Sequence, residues 1–262
     1  MKEPVTLEFE NNEFKCYLDE AIAIIKVKCN AFYSLTDLDI SRRILQWFDI
    51  VAEEDKVKAV LLLNEKGCYG NTAYEVFLTS ITGKDHSEGR HNILSPQERS
   101  QIRTREVNVL NSFIMASVNY RRFVVSGLNG TIVTSFFGAS LASNFRFVSE
   151  NSVFSLNHVK YSLHPGGALP FFLPKYIGLG KASEFVFNGG EISAEEALEM
   201  GLVNKIFPEE NFDETCIKET KLLCQYDSRY IRWTKDLLTP YKKELVEFLH
   251  KEEKFVEHYK TN

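Results

Sequence analysis

Residues 129–208 decide the fold of this chain and read NGTIVTSFFGASLASNFRFVSENSVFSLNHVKYSLHPGGALPFFLPKYIGLGKASEFVFNGGEISAEEALEMGLVNKIFP. A turn of small residues leads into an apolar helix, and two short strands follow near 145–148 and 153–156. A proline–glycine turn at 165–167 then precedes an amphipathic helix. The closing segment has a serine N-cap, a glycine stop and a further strand. This alternation of short strands and helices predicts an α/β fold.

Strand and helix signals also alternate before this stretch. Residues 21–27 (AIAIIKV) and 58–63 (KAVLLL) are β-rich runs, and apolar residues between 40 and 51 recur at helical spacing. A continuous apolar run such as 58–63 is typical of a parallel strand buried on both faces. Ser95, followed by a proline and then by Glu98, predicts the start of a long helix with a capping box.

Composition excludes several functional classes. The chain has 262 residues, of which 44% are hydrophobic and 26% charged, so it can bury a sizeable core. Its net charge of -5 argues against a nucleic-acid partner. The apolar runs are shorter than the roughly 18 residues of a membrane span, and the charged start is unlike a signal peptide. Five cysteines without CxxC spacing predict neither a metal site nor a disulfide framework. We therefore expect a cytoplasmic protein with no membrane or nucleic-acid partner.

The closing ISAEEALEMGLVNKIFP and the Asn129-Gly130 pair before the helix turn resemble the crotonase superfamily, the enoyl-CoA hydratase/isomerase family. The resemblance implies a ββα spiral of two roughly perpendicular sheets in residues 1–208, carrying an acyl-thioester site. It also implies a C-terminal helical region in residues 209–262 through which relatives usually form trimers. We expect a homotrimer or a dimer of trimers. The alternative is that the apolar stripe of the last helix packs on its own domain.

The resemblance also implies the partner and the chemistry. The expected substrate is an acyl-CoA or acyl-carrier-protein thioester, with no cofactor beyond the coenzyme A or phosphopantetheine that it carries. Relatives stabilise a thioester enolate with two backbone N–H groups, which are effective because they are aimed before the reaction begins. The matching donors are Thr72, after a turn at Asn71, and Ser135. A slip of one residue would make Asn71 the donor, and an ordinary polar turn is the other interpretation.

Phe136 follows the second donor, where relatives have glycine. Its ring either enters the core or narrows the acyl pocket. With Asn71, Tyr74 and Gly138, it completes the substrate contacts expected near the donors. Lys28, in a shortened loop, is a candidate contact for a phosphate of the ligand, with a solvated surface lysine as the alternative.

Both catalytic glutamates of the related hydratases are missing, since their positions are Gly138 and His158. A hydratase needs two carboxylates around one water, and the isomerases commonly need the second of them. Decarboxylation of an acyl thioester starts without a base, and His158 can donate the proton that completes it. His164 is a second histidine candidate, and a structural role is the alternative for each.

Three functions from different classes remain open. The first is a decarboxylating acyl-thioester enzyme, a lyase that uses the two backbone donors and His158. The second is a degenerate homologue that acts as a binding or assembly subunit, with its pocket plugged by Phe136, Phe137 or Phe171 and its backbone donors facing away. The third is an isomerase or hydrolase that has recruited another base, for instance Glu75 or Glu150.

Overall fold

The computed structural model describes residues 6–28, 31–87 and 93–259, without the side chains of 34–36. The strands, in chain order, are β1 Phe9–Glu10, β2 Phe14–Asp19, β3 Ile22–Val27, β4 Ala59–Asn64, β5 Phe123–Leu128, β6 Thr131–Val133, β7 Phe145–Ser149, β8 Val153–Ser155, β9 Glu191–Ser193 and β10 Lys205–Phe207. The α-helices are α1 Ala31–Thr36, α2 Leu38–Glu53, α3 Asn71–Thr82, α4 Pro96–Asn119, α5 Thr134–Ser140, α6 Leu169–Asn188, α7 Ala194–Glu199, α8 Phe212–Leu223, α9 Ser228–Leu238 and α10 Lys242–His258. A short 3-10 helix spans Asn157–Tyr161.

The strands form two sheets, as expected for this fold. The larger sheet has the order β1-β2-β3-β4-β5-β7-β10 and is parallel from β3 to β10, with an antiparallel edge at β1 and β2. The smaller sheet has the order β6-β8-β9. Every residue of β4 is buried, which confirms the prediction of a central parallel strand.

The alternation of side chains along β3 and β4 divides the interior into two cores. Ala23 and Val60 face the larger core, which α2, α3, α4 and α5 cover, whereas Ile22 and Leu61 face a smaller one closed by α8. The sheet is therefore covered on both sides, and helices of the larger core bring their N-termini to the candidate site.

Local capping signals set several helix ends as predicted. Ser95 and Glu98 form a reciprocal capping box at the start of α4, and Ser193 and Glu196 form another at the start of α7. Gly201 follows α7 with a φ of 71°, which is the left-handed backbone that glycine adopts at the end of a helix.

The last helix packs against its own chain. α10 lies along α4, and Leu245, Leu249 and Val256 are buried. The structure thus shows the intramolecular contact, while the assembly of several chains remains a prediction. Within the described ranges, no helix is long and apolar enough to cross a membrane.

Candidate functional site

Two helices begin beside one another at the end of the large sheet. The turn after β4 places Asn71 and Thr72 in the first turn of α3, and β6 leads directly into Thr134 and Ser135 of α5. The N–H of Val133 donates to the carbonyl of Tyr69 at 2.9 Å, which joins the two turns. First-turn N–H groups have no partner within their helix, and a helix N-terminus favours negative charge. Both predicted donors therefore belong to elements suited to an oxyanion.

Side-chain amides brace the turn at which relatives have glycine. The Asn157 amide donates to Asn71 Oδ1 at 3.2 Å, and the Asn71 side chain lies 3.3 Å from Ser155 Oγ. These contacts tie the start of α3 to the end of β8 and the 3-10 helix. Asn71 thus has a positioning role in the structure.

An open cleft of about 460 Å³ lies beside this network. Its walls are the first turn of α3, the end of β8 with the 3-10 helix, and residues 188–191. Asn71, Thr72 and Glu75 all lie on the α3 wall, Glu75 one turn after the Thr72 amide. The cleft therefore holds a candidate oxyanion donor and a carboxylate together.

Glu75 is part of a charged cluster in this cleft. Lys160 Nζ donates to Glu75 Oε1 at 2.9 Å, and the Glu75 side chain is 14% exposed. Burial lowers the pKa of Lys160, but the bonds and charges of Glu75 and Tyr161 together outweigh it and leave this pKa raised. Burial raises the pKa of Tyr161, whose hydroxyl lies beside both groups. At neutral pH Lys160 is thus an ammonium and Tyr161 a neutral phenol, both beside Glu75.

His158 lies inside the protein, 2% exposed, and its side chain is outside the cleft lining. Its Nε2–H donates to the carbonyl of Val186 at 2.9 Å, and the Thr134 hydroxyl lies 3.0 Å from Nδ1. Burial lowers its pKa to about 4, against the opposing effect of the Val186 bond. The ring is therefore neutral with both nitrogens bonded. This corrects the expectation of a proton donor and favours the structural alternative for His158.

The position of the other missing acid has no room for a side chain. A Cβ atom at Gly138 would lie 2.5 Å from the Gly167 carbonyl oxygen and 2.8 Å from the Leu169 nitrogen. The 166–169 loop thus packs directly on α5. Gly138 has no side chain to offer a substrate, and Ser135 beneath the same loop is buried and does not line the cleft.

For Phe136, the structure favours the first of the two alternatives, a ring in the core. Its ring enters the core, stacked on Tyr69 with centroids 4.1 Å apart and edge-on to Phe32 at 4.6 Å. Aromatic pairs at these separations are stabilising beyond the area they bury. Phe136 consequently reinforces the turn that precedes α3 and does not line the cleft.

Comparison with known proteins identifies the family. The enoyl-CoA hydratase/isomerase family model matches residues 30–262. The chain belongs to this family. The enoyl-CoA hydratase of Bacillus halodurans superposes with a TM-score of 0.74 at 19% identity, covering 94% of this chain and 95% of that one. An enoyl-CoA hydratase/isomerase from Cupriavidus metallidurans CH34 gives 0.70 at 17% identity, with 97% and 90% covered. The fold is that of the crotonases.

Curated relatives match over a smaller part of the chain. Chromodomain Y-like protein 2 of Mus musculus is 23% identical over 158 residues, covering 60% of this chain and 31% of that protein. The trans-2-decenoyl-[acyl-carrier-protein] isomerase of Streptococcus mutans is 24% identical over 197 residues, with 75% and 70% covered. The chain spans about a third of the length of the first curated relatives that it matches.

Two further residues that were expected to contact the substrate, His164 and Tyr74, lie in the interior of the protein. His164 Nδ1 and the hydroxyl of Tyr259 are 2.9 Å apart, and burial lowers the pKa of His164 to about 3. Tyr74 is buried against Phe32, with ring centroids 5.0 Å apart. Neither side chain lines the cleft, so the expected substrate contacts by His164 and Tyr74 are replaced by packing contacts.

Lys28 is engaged elsewhere. Its Nζ donates to Glu10 Oε1 at 2.6 Å and to the Asn11 carbonyl at 2.8 Å. This corrects the expected phosphate contact, because both partners lie at the edge of the sheet and hold the ammonium there. Glu150, an alternative base, is exposed and accepts the Glu209 N–H at 3.1 Å.

A buried pair on α4 was missed from the sequence. Arg103 and Glu106 are paired inside the protein, and the Ser135 hydroxyl donates to Glu106 Oε1 at 3.2 Å. At this spacing on a helix, opposite charges usually pair on the surface, so the pattern alone gave no signal of burial. The pair fixes the Ser135 side chain against α4. In the described part of the chain, no cluster of three metal-ligating side chains could hold a metal ion.

Proposed function

We propose that this crotonase-family protein binds an acyl thioester in the cleft at the start of α3 and shifts a double bond within its acyl group. Thr72 N–H stabilises the enolate oxygen, and Glu75 carries the proton. The observation that supports the proposal is that the donor and the carboxylate share one cleft, one helical turn apart. The only cofactor in it is the coenzyme A or phosphopantetheine that the substrate carries.

One carboxylate suffices for this reaction. Glu75 removes a proton from the carbon next to the thioester carbonyl of a β,γ-unsaturated acyl group, and the charge spreads to the carbonyl oxygen. That oxygen accepts from Thr72 N–H, a type of contact that contributes about 10²–10³ in rate. The proton returns to the far carbon of the former double bond, so no atom is gained or lost. Proton transfer by a placed side chain contributes about 10²–10⁴.

Lys160 and Tyr161 support this role of Glu75. The ammonium at 2.9 Å pairs with one oxygen of the carboxylate and orients it, which leaves the other oxygen for the substrate. Tyr161 lies on the same wall and closes the cluster on its protein side. The proton carrier is therefore fixed in place before a substrate arrives.

The other chemistries lack a placed group. Hydration needs two carboxylates around one water. Gly138 leaves no space for one on α5, and the second carboxylate of the cleft, Glu191, is exposed at the start of β9. Decarboxylation was expected to take its proton from His158, whose two nitrogens are already bonded to Thr134 and Val186. Isomerisation is thus the reaction that the cleft supports best. The S. mutans relative, whose name gives the same class of reaction on a carrier-bound decenoyl group, agrees with it.

A second candidate function is a binding or assembly subunit without catalysis. It is favoured by the burial of Ser135 away from the cleft, which leaves one of the two predicted backbone donors in contact with it. In either case we propose a homotrimer or dimer of trimers, located in the cytoplasm, as relatives of this family suggest.

The test follows the position of the double bond and the exchange of the transferred proton with solvent. We would incubate the full-length protein with 3-hexenoyl-CoA and the matching phosphopantetheine thioester in D₂O, and follow the double bond by proton NMR. Malonyl-CoA would be assayed in parallel for loss of CO₂. We expect isomerisation by the wild type, its loss in Glu75→Gln with binding retained, and no change in Glu244→Gln. Glu244 is a fit control because it also pairs with a lysine but is exposed on α10.

The outcomes separate the candidates. If Glu75→Gln still isomerises 3-hexenoyl-CoA, Glu75 is not the proton carrier. Consumption of malonyl-CoA alone favours a decarboxylase, and thioester binding without turnover favours the subunit. Absence of binding by every thioester would overturn the proposal.

A further inference from the structure

The helix that carries the Thr72 donor begins without a capping side chain. The N-cap of α3 is Gly70, which has no side-chain oxygen to accept the N–H groups of the first turn. A capping side chain normally satisfies one of those groups. The first-turn N–H groups of α3 are therefore left for a ligand, and contacts made by other side chains set their direction.

Two side-chain amides and one hydroxyl join the start of α3 to the start of α5. Asn71, the first residue of α3, accepts from Asn157 Nδ2 at 3.2 Å. Asn157 Oδ1 lies 3.3 Å from the hydroxyl of Thr134, the first residue of α5. We call these three residues the amide bridge. The backbone bond between Val133 and Tyr69 joins the same two turns, so the two helix starts are held by backbone and side chains together.

Thr134 is the inner end of the amide bridge. It is 1% exposed and does not line the cleft. Its hydroxyl also lies 3.0 Å from His158 Nδ1, which accepts because the Nε2–H of the same ring donates to Val186. Burial lowers the pKa of His158 to about 4, so Nδ1 carries no proton at neutral pH. The hydroxyl proton is thus shared between His158 and Asn157 in a three-centre arrangement.

Through the amide bridge, α5 acts on a cleft that its own donor does not reach. Ser135 is buried beneath the 166–169 loop and lies outside the cleft lining. Thr134, one residue before it, contacts Asn157, which does line the cleft. Without the hydroxyl, Asn157 and the first turn of α3 would lose a fixed partner. A shift of about 1 Å in a positioned group can cost about 10² in rate, so the direction of the Thr72 N–H matters.

Resting on the proposed function, we infer that Thr134 is a positioning residue for the isomerisation. It orients the Thr72 N–H through the amide bridge and touches neither the substrate nor the reacting atoms. His158 holds the Thr134 hydroxyl from the other side. The position at which related hydratases have their second glutamate therefore serves the oxyanion donor and not the proton transfer.

Thr134→Val tests the inference, because valine has nearly the shape of threonine and lacks the hydroxyl. In the full-length protein, this variant should lower kcat for 3-hexenoyl-CoA by about tenfold and change KM by less than about twofold, a part of the 10²–10³ that one such donor contributes. Thr134→Ser keeps the hydroxyl and should keep the wild-type kcat. The backbone amide resonance of Thr72, read by NMR in the free protein, should move in Thr134→Val and not in Thr134→Ser.

Thr220→Val is the matched control. Thr220 is also fully buried, and its hydroxyl donates to the Cys216 carbonyl at 2.7 Å within α8, the helix that closes the smaller core. This variant should lose stability in urea unfolding as Thr134→Val does, with kcat and the Thr72 resonance unchanged. Asn157→Leu removes the middle of the amide bridge, so adding Thr134→Val to it should lower kcat no further.

Each result bears on the inference. A wild-type kcat in Thr134→Val overturns it, as does a loss of kcat without a shift of the Thr72 resonance. A loss that Thr134→Ser or Thr220→Val shares equally is an effect of stability and overturns it too. If the losses in Thr134→Val and Asn157→Leu add, the bridge is not the route and the inference is wrong. If the wild type does not isomerise 3-hexenoyl-CoA, the proposed function itself fails, and the inference fails with it.

Discussion

Glu252 lies in the middle of the buried stripe of α10 and provides the sharpest test of how this helix is held. Its side chain is 3% exposed, and neither carboxylate oxygen has a hydrogen-bond partner among the described residues. The charged groups facing it are Arg103, which favours its ionised form, and Glu106 and Glu253, which oppose it. A buried carboxyl without partners is most easily kept neutral.

The magnitude follows from the pKa of this carboxyl. Burial raises it from 4.5 to about 7. At about 1.36 kcal/mol per pKa unit, ionised Glu252 costs the fold about 3 kcal/mol. The pKa of Glu252 is higher in the folded protein than in the unfolded chain. The protein is therefore free of this cost below pH 4.5, where the carboxyl is neutral in both states, and it loses about 3 kcal/mol of stability as the pH rises to about 7. Above pH 7 the folded protein carries the full cost of the ionised Glu252 carboxylate.

Glu252→Gln should therefore stabilise the protein at alkaline pH and not at acid pH. We expect a gain of about 2 kcal/mol in the free energy of unfolding at pH 8, since the buried amide itself costs about 1 kcal/mol. The gain should fall to zero or below near pH 4.5. Urea unfolding at a series of pH values, read as a midpoint shift at constant slope, measures it. Glu247→Gln, exposed on the same helix, is the control.

A different pH profile would refute the reasoning. If Glu252→Gln destabilises the protein equally at pH 5 and pH 8, then Arg103 holds Glu252 as an ion pair and the carboxyl is ionised throughout. If Glu247→Gln produces the same alkaline gain, the effect is one of overall charge and not of the buried position.

Three further predictions concern the candidate site. Gly138→Ala should destabilise the fold by about 1–3 kcal/mol in thermal or urea unfolding, because its Cβ meets the Gly167 carbonyl. Gly180→Ala, whose Cβ has nothing within 4 Å, should be neutral or slightly stabilising. Equal effects at the two positions would contradict the packing. The His158 ring should titrate by NMR with a midpoint near 4 and not near 6.5. Lys160→Met should reduce isomerase activity without abolishing acyl-thioester binding, since it removes only the partner of Glu75. A variant with full kcat would show that the ion pair has no positioning role.

Local signals predicted much of the fold. The capping box at Ser95, the apolar run that became β4 and the helical spacing that became α2 depend on neighbours in the chain, and each formed as predicted. The final helix also formed, at Lys242–His258. Its packing on α4 was one of two alternatives that its apolar stripe alone did not separate, because such a stripe is required by either contact.

The site was harder to predict, because its decisive contacts join distant segments. Glu75 was a candidate base from its position after the donor turn, but its pairing with Lys160 joins residues far apart in sequence. Neighbouring residues of the 3-10 helix also face different ways, so that Asn157 reaches the cleft while His158 points to Val186. A family position identifies where a residue lies along the backbone, but the local rotation of the side chain decides what it contacts.

The glycine at position 138 and the packing of the 166–169 loop on α5 depend on each other. Gly167 lies so close to α5 that a Cβ atom on it would meet the Ser135 carbonyl at 2.0 Å, and Gly138 opposite is equally restricted. Any acid at position 138 would have to push this loop away, so the loop and the glutamate exclude each other. With α5 covered, the first turn of α3 is the helix N-terminus that still faces open space, and it carries Thr72 and Glu75. This packing supports the proposal of a proton-transfer site at α3.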